Sequence, residues 1–72
     1  MVVKVVSYAG FKGDERPLRF QLGENWIEVR EVTDRWYEPG ATYFKVSADN
    51  DHTYILRHAE ANDEWTLAAF RA

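Results

Sequence analysis

Apolar and polar residues alternate with period two along much of this chain. Leu18, Phe20 and Leu22 are separated by Arg19 and Gln21; Phe44, Val46 and Ala48 alternate with Tyr43, Lys45 and Ser47; Tyr54, Leu56 and His58 share one parity; Trp65, Leu67 and Ala69 alternate with Thr66, Ala68 and Phe70. Alternation of this kind places successive side chains on opposite faces of a strand, so the pattern predicts short strands with one covered face each. Residues 1–7 are Val-rich with little alternation. They read as a first strand, either covered on both faces or pairing late with the C-terminus.

Turn-forming residues punctuate the strands. Residues 11–16 combine Lys12, Gly13, Asp14 and Glu15 ahead of Pro17 and read as a solvated loop. Gly23-Glu24-Asn25 turns the chain, and Glu38-Pro39-Gly40 has Pro and Gly placed for a type II turn. Asp49-Asn50-Asp51 makes a tight polar connection, and residues 59–63 make another. Residues 26–37 form a stretch without Gly or Pro, where Ile27 and Val29 share one parity and Val32 and Trp36 the other. A β-bulge near Arg30 and Glu31 turns both sets inwards. A helix is the rival here because of its Glu and Arg residues, but the β-branched and aromatic positions favour a strand. The expected fold is all-β, one domain over residues 1–72: a small SH3-like barrel or a strongly curled antiparallel meander of five to six strands.

Size matters next. A chain of 72 residues with no cysteine has neither disulfide nor thiolate metal staples, so packing must hold it, alone or as a homodimer. Three Trp, four Tyr and four Phe supply the material. The first apolar run is too short for a signal-peptide core or a membrane span, and the chain reads as cytoplasmic with no membrane partner. Net charge is −3, with six basic and six acidic residues in positions 1–36 and three basic against six acidic in positions 37–72. No basic stripe for phosphate neutralisation stands out.

Catalytic chemistry is sparsely represented. The two serines, Ser7 and Ser47, lack a Gly-flanked elbow, and the bases are His52, which reads as a turn residue, and His58, which reads as a surface hydrogen-bonding or core-edge residue. Asp49, Asn50, Asp51 and His52 are adjacent, so their donors diverge and do not converge on one ion. The pairs Asp14-Glu15 and Asp63-Glu64 read as solubilising loop charges. No enzyme, metal or cofactor is expected. The remaining constellation interleaves cations with aromatics: Arg30, Arg35, Trp36, Tyr37, Tyr43, Lys45 and Arg57. On a curled sheet, outward aromatics beside Arg can stack the bases of a single strand; core filling and cross-strand Arg–Glu pairing are the ordinary alternative.

The order Arg16-Pro17-Leu18-Arg19-Phe20, then Trp26 with Glu28 and Val29, Val32 with the run from Asp34 to Gly40, a Tyr-Phe-Lys-Val strand, Tyr54 with Leu56-Arg57-His58, and Trp65 with Leu67 resembles a family of short uncharacterised bacterial β domains. Similar stretches occur at the C-terminal end of the Y-family-polymerase-like proteins of bacterial damage-induced mutagenesis. These shared motifs are structural, so the resemblance implies an accessory role in contacting DNA or a partner protein. Taken together, the sequence reads as a non-enzymatic binding module. Its partner is a protein held by aromatic contacts or an unpaired strand edge near residues 36–40, or a single-stranded nucleic acid in a DNA repair or mutagenesis setting; homodimerisation is the further alternative.

Overall fold

The computed structural model describes residues 1–9 and 15–71. Among them are six strands, β1 (Lys4–Ala9), β2 (Glu15–Leu22), β3 (Asn25–Glu38), β4 (Ala41–Ala48), β5 (Thr53–Ala59) and β6 (Glu64–Arg71). Each pairs antiparallel with the next in one six-stranded sheet. The expected curled meander is therefore the observed fold, and no helix among the described residues is long and apolar enough to cross a membrane. The sheet curls until its ends touch. Val2 bridges Thr66, the Val3 amide donates to Trp65 carbonyl (3.0 Å) and the Leu67 amide donates to Met1 carbonyl (2.8 Å). The N-terminal residues thus do pair with the C-terminal strand, but β1 proper begins only at Lys4. It is not covered on both faces, since Val6 and Tyr8 are exposed.

Turn chemistry sets the register. Gly23 has φ +59° at the first central position of the two-residue β2–β3 hairpin, as a type II′ turn requires. Gly40 has φ +84° after Pro39, the geometry of the expected type II turn. Asp51 (φ 66°) closes the three-residue β4–β5 loop in the left-handed region. That loop is braced by Asn50, whose Oδ1 accepts from the His52 amide (3.1 Å) and whose Nδ2 donates to the Tyr54 hydroxyl (2.9 Å). The loop read over residues 11–16 lies mostly outside the described residues; its last two positions, Glu15 and Arg16, belong to β2.

Phe20, Val46 and Leu56 are fully buried, and Phe44, Ala48, Tyr54, Val3 and Trp65 complete the core cluster. Phe20 meets Tyr54 edge to face with ring centroids 4.9 Å apart, and Phe44 packs at 5.4 Å from Trp65. Aromatic contacts of this geometry add to the burial of area, which suits a chain with little surface to hide.

β3 carries the main departure from simple alternation. Its half-buried positions are Ile27, Val29, Val32 and Arg35. Arg30 is the extra residue between the pairs Val29 with Ala48 and Glu31 with Ser47, so the expected bulge is present. A second bulge follows at Thr33, between the pairs Val32 with Val46 and Asp34 with Lys45; the Thr33 hydroxyl donates to the Lys45 carbonyl there (3.1 Å). This second bulge corrects the expectation that Trp36 faces inwards with Val32. Each extra residue swaps the faces, so Arg35 points in opposite buried Phe44 and Trp36 points out opposite Tyr43. A similar shift in β6 at Ala68 pairs Ala69 with Ile55 and Phe70 with Tyr54. Ala69 therefore does not share a face with Trp65 and Leu67, as strict alternation had implied.

Candidate functional site

The structure divides the seven residues of the interleaved cation and aromatic set among three places. Trp36, Tyr43, Lys45 and Arg57 share the outer face of β3, β4 and β5. Trp36 and Tyr43 stack with centroids 5.3 Å apart and planes 4° from parallel. The Tyr43 hydroxyl donates to Glu38 Oε1 (2.8 Å), Arg57 Nε donates to the same oxygen (3.0 Å), and the Arg57 guanidinium lies 5.9 Å from the Tyr43 ring centre. These contacts hold the Glu38 carboxyl below its usual range, the Tyr43 hydroxyl contributing most and Arg57 next. Glu38 in turn raises the Arg57 pKa. Tyr37 is exposed and has the opposite parity to Trp36. Arg30 reaches the β4–β5 turn, where Nη1 pairs with Asp51 (3.0 Å) and Nη2 donates to the Asp49 carbonyl (3.1 Å). Arg35 lies on the inner side, with its guanidinium 5.0 Å over Phe44.

Arg30 and Arg35 instead line a cleft of about 660 Å³, which opens between β2 and β3. Its origin is topological. β2 pairs with β3 only from Arg19 with Glu28 to Leu22 with Asn25, and beyond Glu28 the strand β3 is paired to β4. The handover is marked by the Asp49 amide, which donates to Glu28 carbonyl (3.0 Å). Among the described residues, positions 16–18 of β2 and 29–35 of β3 therefore flank the cleft without pairing across it. Pro17, fully buried, forms part of its wall with Leu18, Val29 and Val32. Proline removes one donor from the β2 edge. At the far end of the β3 edge, the Arg35 amide is taken by the Asp34 Oδ1 of the preceding residue (2.8 Å). Such a carboxylate cap blunts a strand edge where it stands; the edge before it carries no such cap among the described residues.

The sequence places His58 at the surface or the core edge, and the structure buries it at 8% exposure at that edge. Its ring stacks on Trp65 (centroids 4.3 Å apart, 20°), and Nε2 donates to Asp63 Oδ1 at 2.6 Å. Asp63 is thus a hairpin brace and not merely a solubilising charge. His52 packs edge-on against Phe70 with centroids 5.2 Å apart. The two histidines are held in separate aromatic contacts, and among the described residues no three His, Asp or Glu side chains gather as a metal site would need. The cleft itself left no mark on the sequence beyond Pro17, because alternation reports which face a residue takes and not which neighbour its strand pairs with. With this geometry in hand, comparison with known proteins gives no family model, no curated protein and no solved structure that significantly matches the chain.

Proposed function

We propose that this domain is a non-enzymatic interaction module that accepts an extended segment of a partner protein in the β2–β3 cleft by strand addition. One observation carries the reading: two strand edges of a single sheet separate and face a cleft of about 660 Å³ without pairing across it among the described residues. Backbone groups on such an edge are a template for an added strand, which gains affinity from main-chain hydrogen bonds and selectivity from alternate side chains. The apolar wall of Pro17, Leu18, Val29 and Val32 supplies burial for those side chains. Charge favours this reading over single-stranded nucleic acid. On the outer aromatic face Arg57 is committed to Glu38, which leaves Lys45 to neutralise phosphate beside the Trp36–Tyr43 stack, whereas tight binding of that kind uses several cations.

The test is selection from a phage-displayed library of random peptides, followed by titration of the ¹⁵N-labelled domain with the selected synthetic peptide. Amide shifts at Arg16, Leu18 and residues 29–35 are expected. Failure to select any peptide, or shifts confined to Trp36, Tyr43 and Arg57, overturns the reading. A parallel titration with a mixed single-stranded DNA oligomer at low and moderate salt is expected to leave the cleft amides unmoved; salt-sensitive shifts around Trp36 and Lys45 would instead support the accessory nucleic-acid role.

A further inference from the structure

We infer that the cleft selects an acidic side chain on the strand it accepts, and that Arg35 is the residue that reads it. This rests on the strand-addition reading and adds the chemistry of the occupant. Five charged residues line the cleft: Arg16, Arg30, Arg35, Glu31 and Asp34. Most of these charges are already engaged. Arg30 is held by Asp51 and the Asp49 carbonyl, Arg16 lies over the Tyr8 ring at 5.5 Å, and Asp34 accepts from the Arg35 amide.

Arg35 differs from the other two arginines. Its guanidinium rests 5.0 Å over Phe44, and its Nε is buried with no hydrogen-bond acceptor. Arg19 Nε is also buried without an acceptor, but Glu28 stands 3.9 Å from it; no carboxylate pairs with Arg35 side chain among the described residues. A buried donor without an acceptor is uncommon and costly, and each instance calls for a physical reason. Here an incoming carboxylate supplies one. The planar guanidinium fork matches a carboxylate with two parallel hydrogen bonds.

Position agrees with this role. The open β3 edge ends where Asp34 caps the Arg35 amide, so a strand lying along the preceding residues runs out beside the Arg35 side chain. At roughly 3.3 Å per residue, positions 29–34 offer a track for about five residues. The acidic residue therefore sits at one end of the bound segment, and apolar residues at alternate positions before it meet Val29 and Val32.

Peptides selected from the random library, each acidic residue then changed from Glu to Gln, test the inference by calorimetric titration against the intact domain, Arg35→Met and Arg57→Met. In the unaltered domain the Glu-to-Gln change at the end position is expected to weaken binding by about tenfold or more, as loss of a hydrogen bond to a charged group does. In Arg35→Met the same change is expected to have less than a threefold effect, while Arg57→Met, on the outer face, retains the full discrimination. Arg35→Lys keeps the charge without the fork and is expected to fall between, which guards against a Met variant that does not fold. Selected peptides that bind the cleft with no acidic preference, or a preference that survives in Arg35→Met, overturn this inference and leave strand addition standing. Absence of any peptide binding overturns both.

Discussion

Asp63 combines two structural demands that can be separated by substitution. Its backbone is left-handed (φ 51°) in the β5–β6 turn, and its carboxylate receives His58 Nε2 at 2.6 Å. Left-handed geometry costs an ordinary L-residue about 1–2 kcal/mol, less for Asp or Asn and nothing for Gly. A hydrogen bond to a charged group contributes about 1.5–3 kcal/mol, and because the Asp63 side chain is 79% exposed the low end applies. Asp63→Gly loses the bond but relieves the backbone and is expected to cost about 1 kcal/mol. Asp63→Ala loses the bond and strains the backbone, for about 2–3 kcal/mol. Asp63→Asn keeps an acceptor and a tolerated φ, for under about 1 kcal/mol. A chain of this length has a total stability of about 4–11 kcal/mol, so the Ala variant loses a substantial share. Urea unfolding followed by tryptophan fluorescence, to which Trp65 stacked on His58 contributes, measures all three. With a slope of about 1–2 kcal/mol per molar urea, the Ala midpoint drops by about 1–3 molar relative to wild type. Equal losses in Gly and Ala would refute the backbone component; an Asn variant as weak as Ala would refute the hydrogen bond.

Other expectations follow from the same structure. Leu56 is fully buried in the core and Ile55, its neighbour, points the other way; Leu56→Ala is expected to cost about 2–5 kcal/mol and Ile55→Ala clearly less, read from urea midpoints. Arg35→Met removes a buried donor that lacks an acceptor while its stem still covers Phe44, so its unfolding midpoint is expected at or above that of wild type. Glu38 is held below its usual pKa, first by Tyr43 and then by Arg57. Its contribution to stability is therefore present above the ordinary Glu value and lost as pH falls through the lowered folded value. Carboxyl NMR titration should show Tyr43→Phe moving the Glu38 midpoint upwards by more than Arg57→Met does.

The fold was largely legible because its determinants are local. Pro39-Gly40 and Gly23 fix two hairpins through their dihedrals, and a parity switch between Val29 and Val32 announces the bulge at Arg30. The second bulge was hidden because Trp36 matches Val32 in parity and is apolar, whereas the residue that turns inwards is a charged one. Arg35 can occupy an inner position because its methylene stem and flat guanidinium cover Phe44. That single reversal redistributed the expected binding set, separating Arg35 from Trp36, Tyr43, Lys45 and Arg57. The His58–Asp63 brace depends on a turn conformation, and the β2–β3 cleft depends on where β3 changes partner. Neither leaves a periodic trace in the chain, since alternation encodes facing and is silent on pairing.

Hydrogen exchange of individual amides, with and without a selected peptide, bears most directly on the proposal that the separated strands form a strand-acceptor site. Backbone groups on an unpaired edge exchange readily, while paired ones are protected. In the free domain, amides on the open edges at Arg16, Leu18 and residues 29–34 are expected to exchange faster than those paired along β4 and β5, and to become protected at alternate positions when peptide is bound. Protection of these amides already in the free domain, or no gain in protection on binding, would contradict the account.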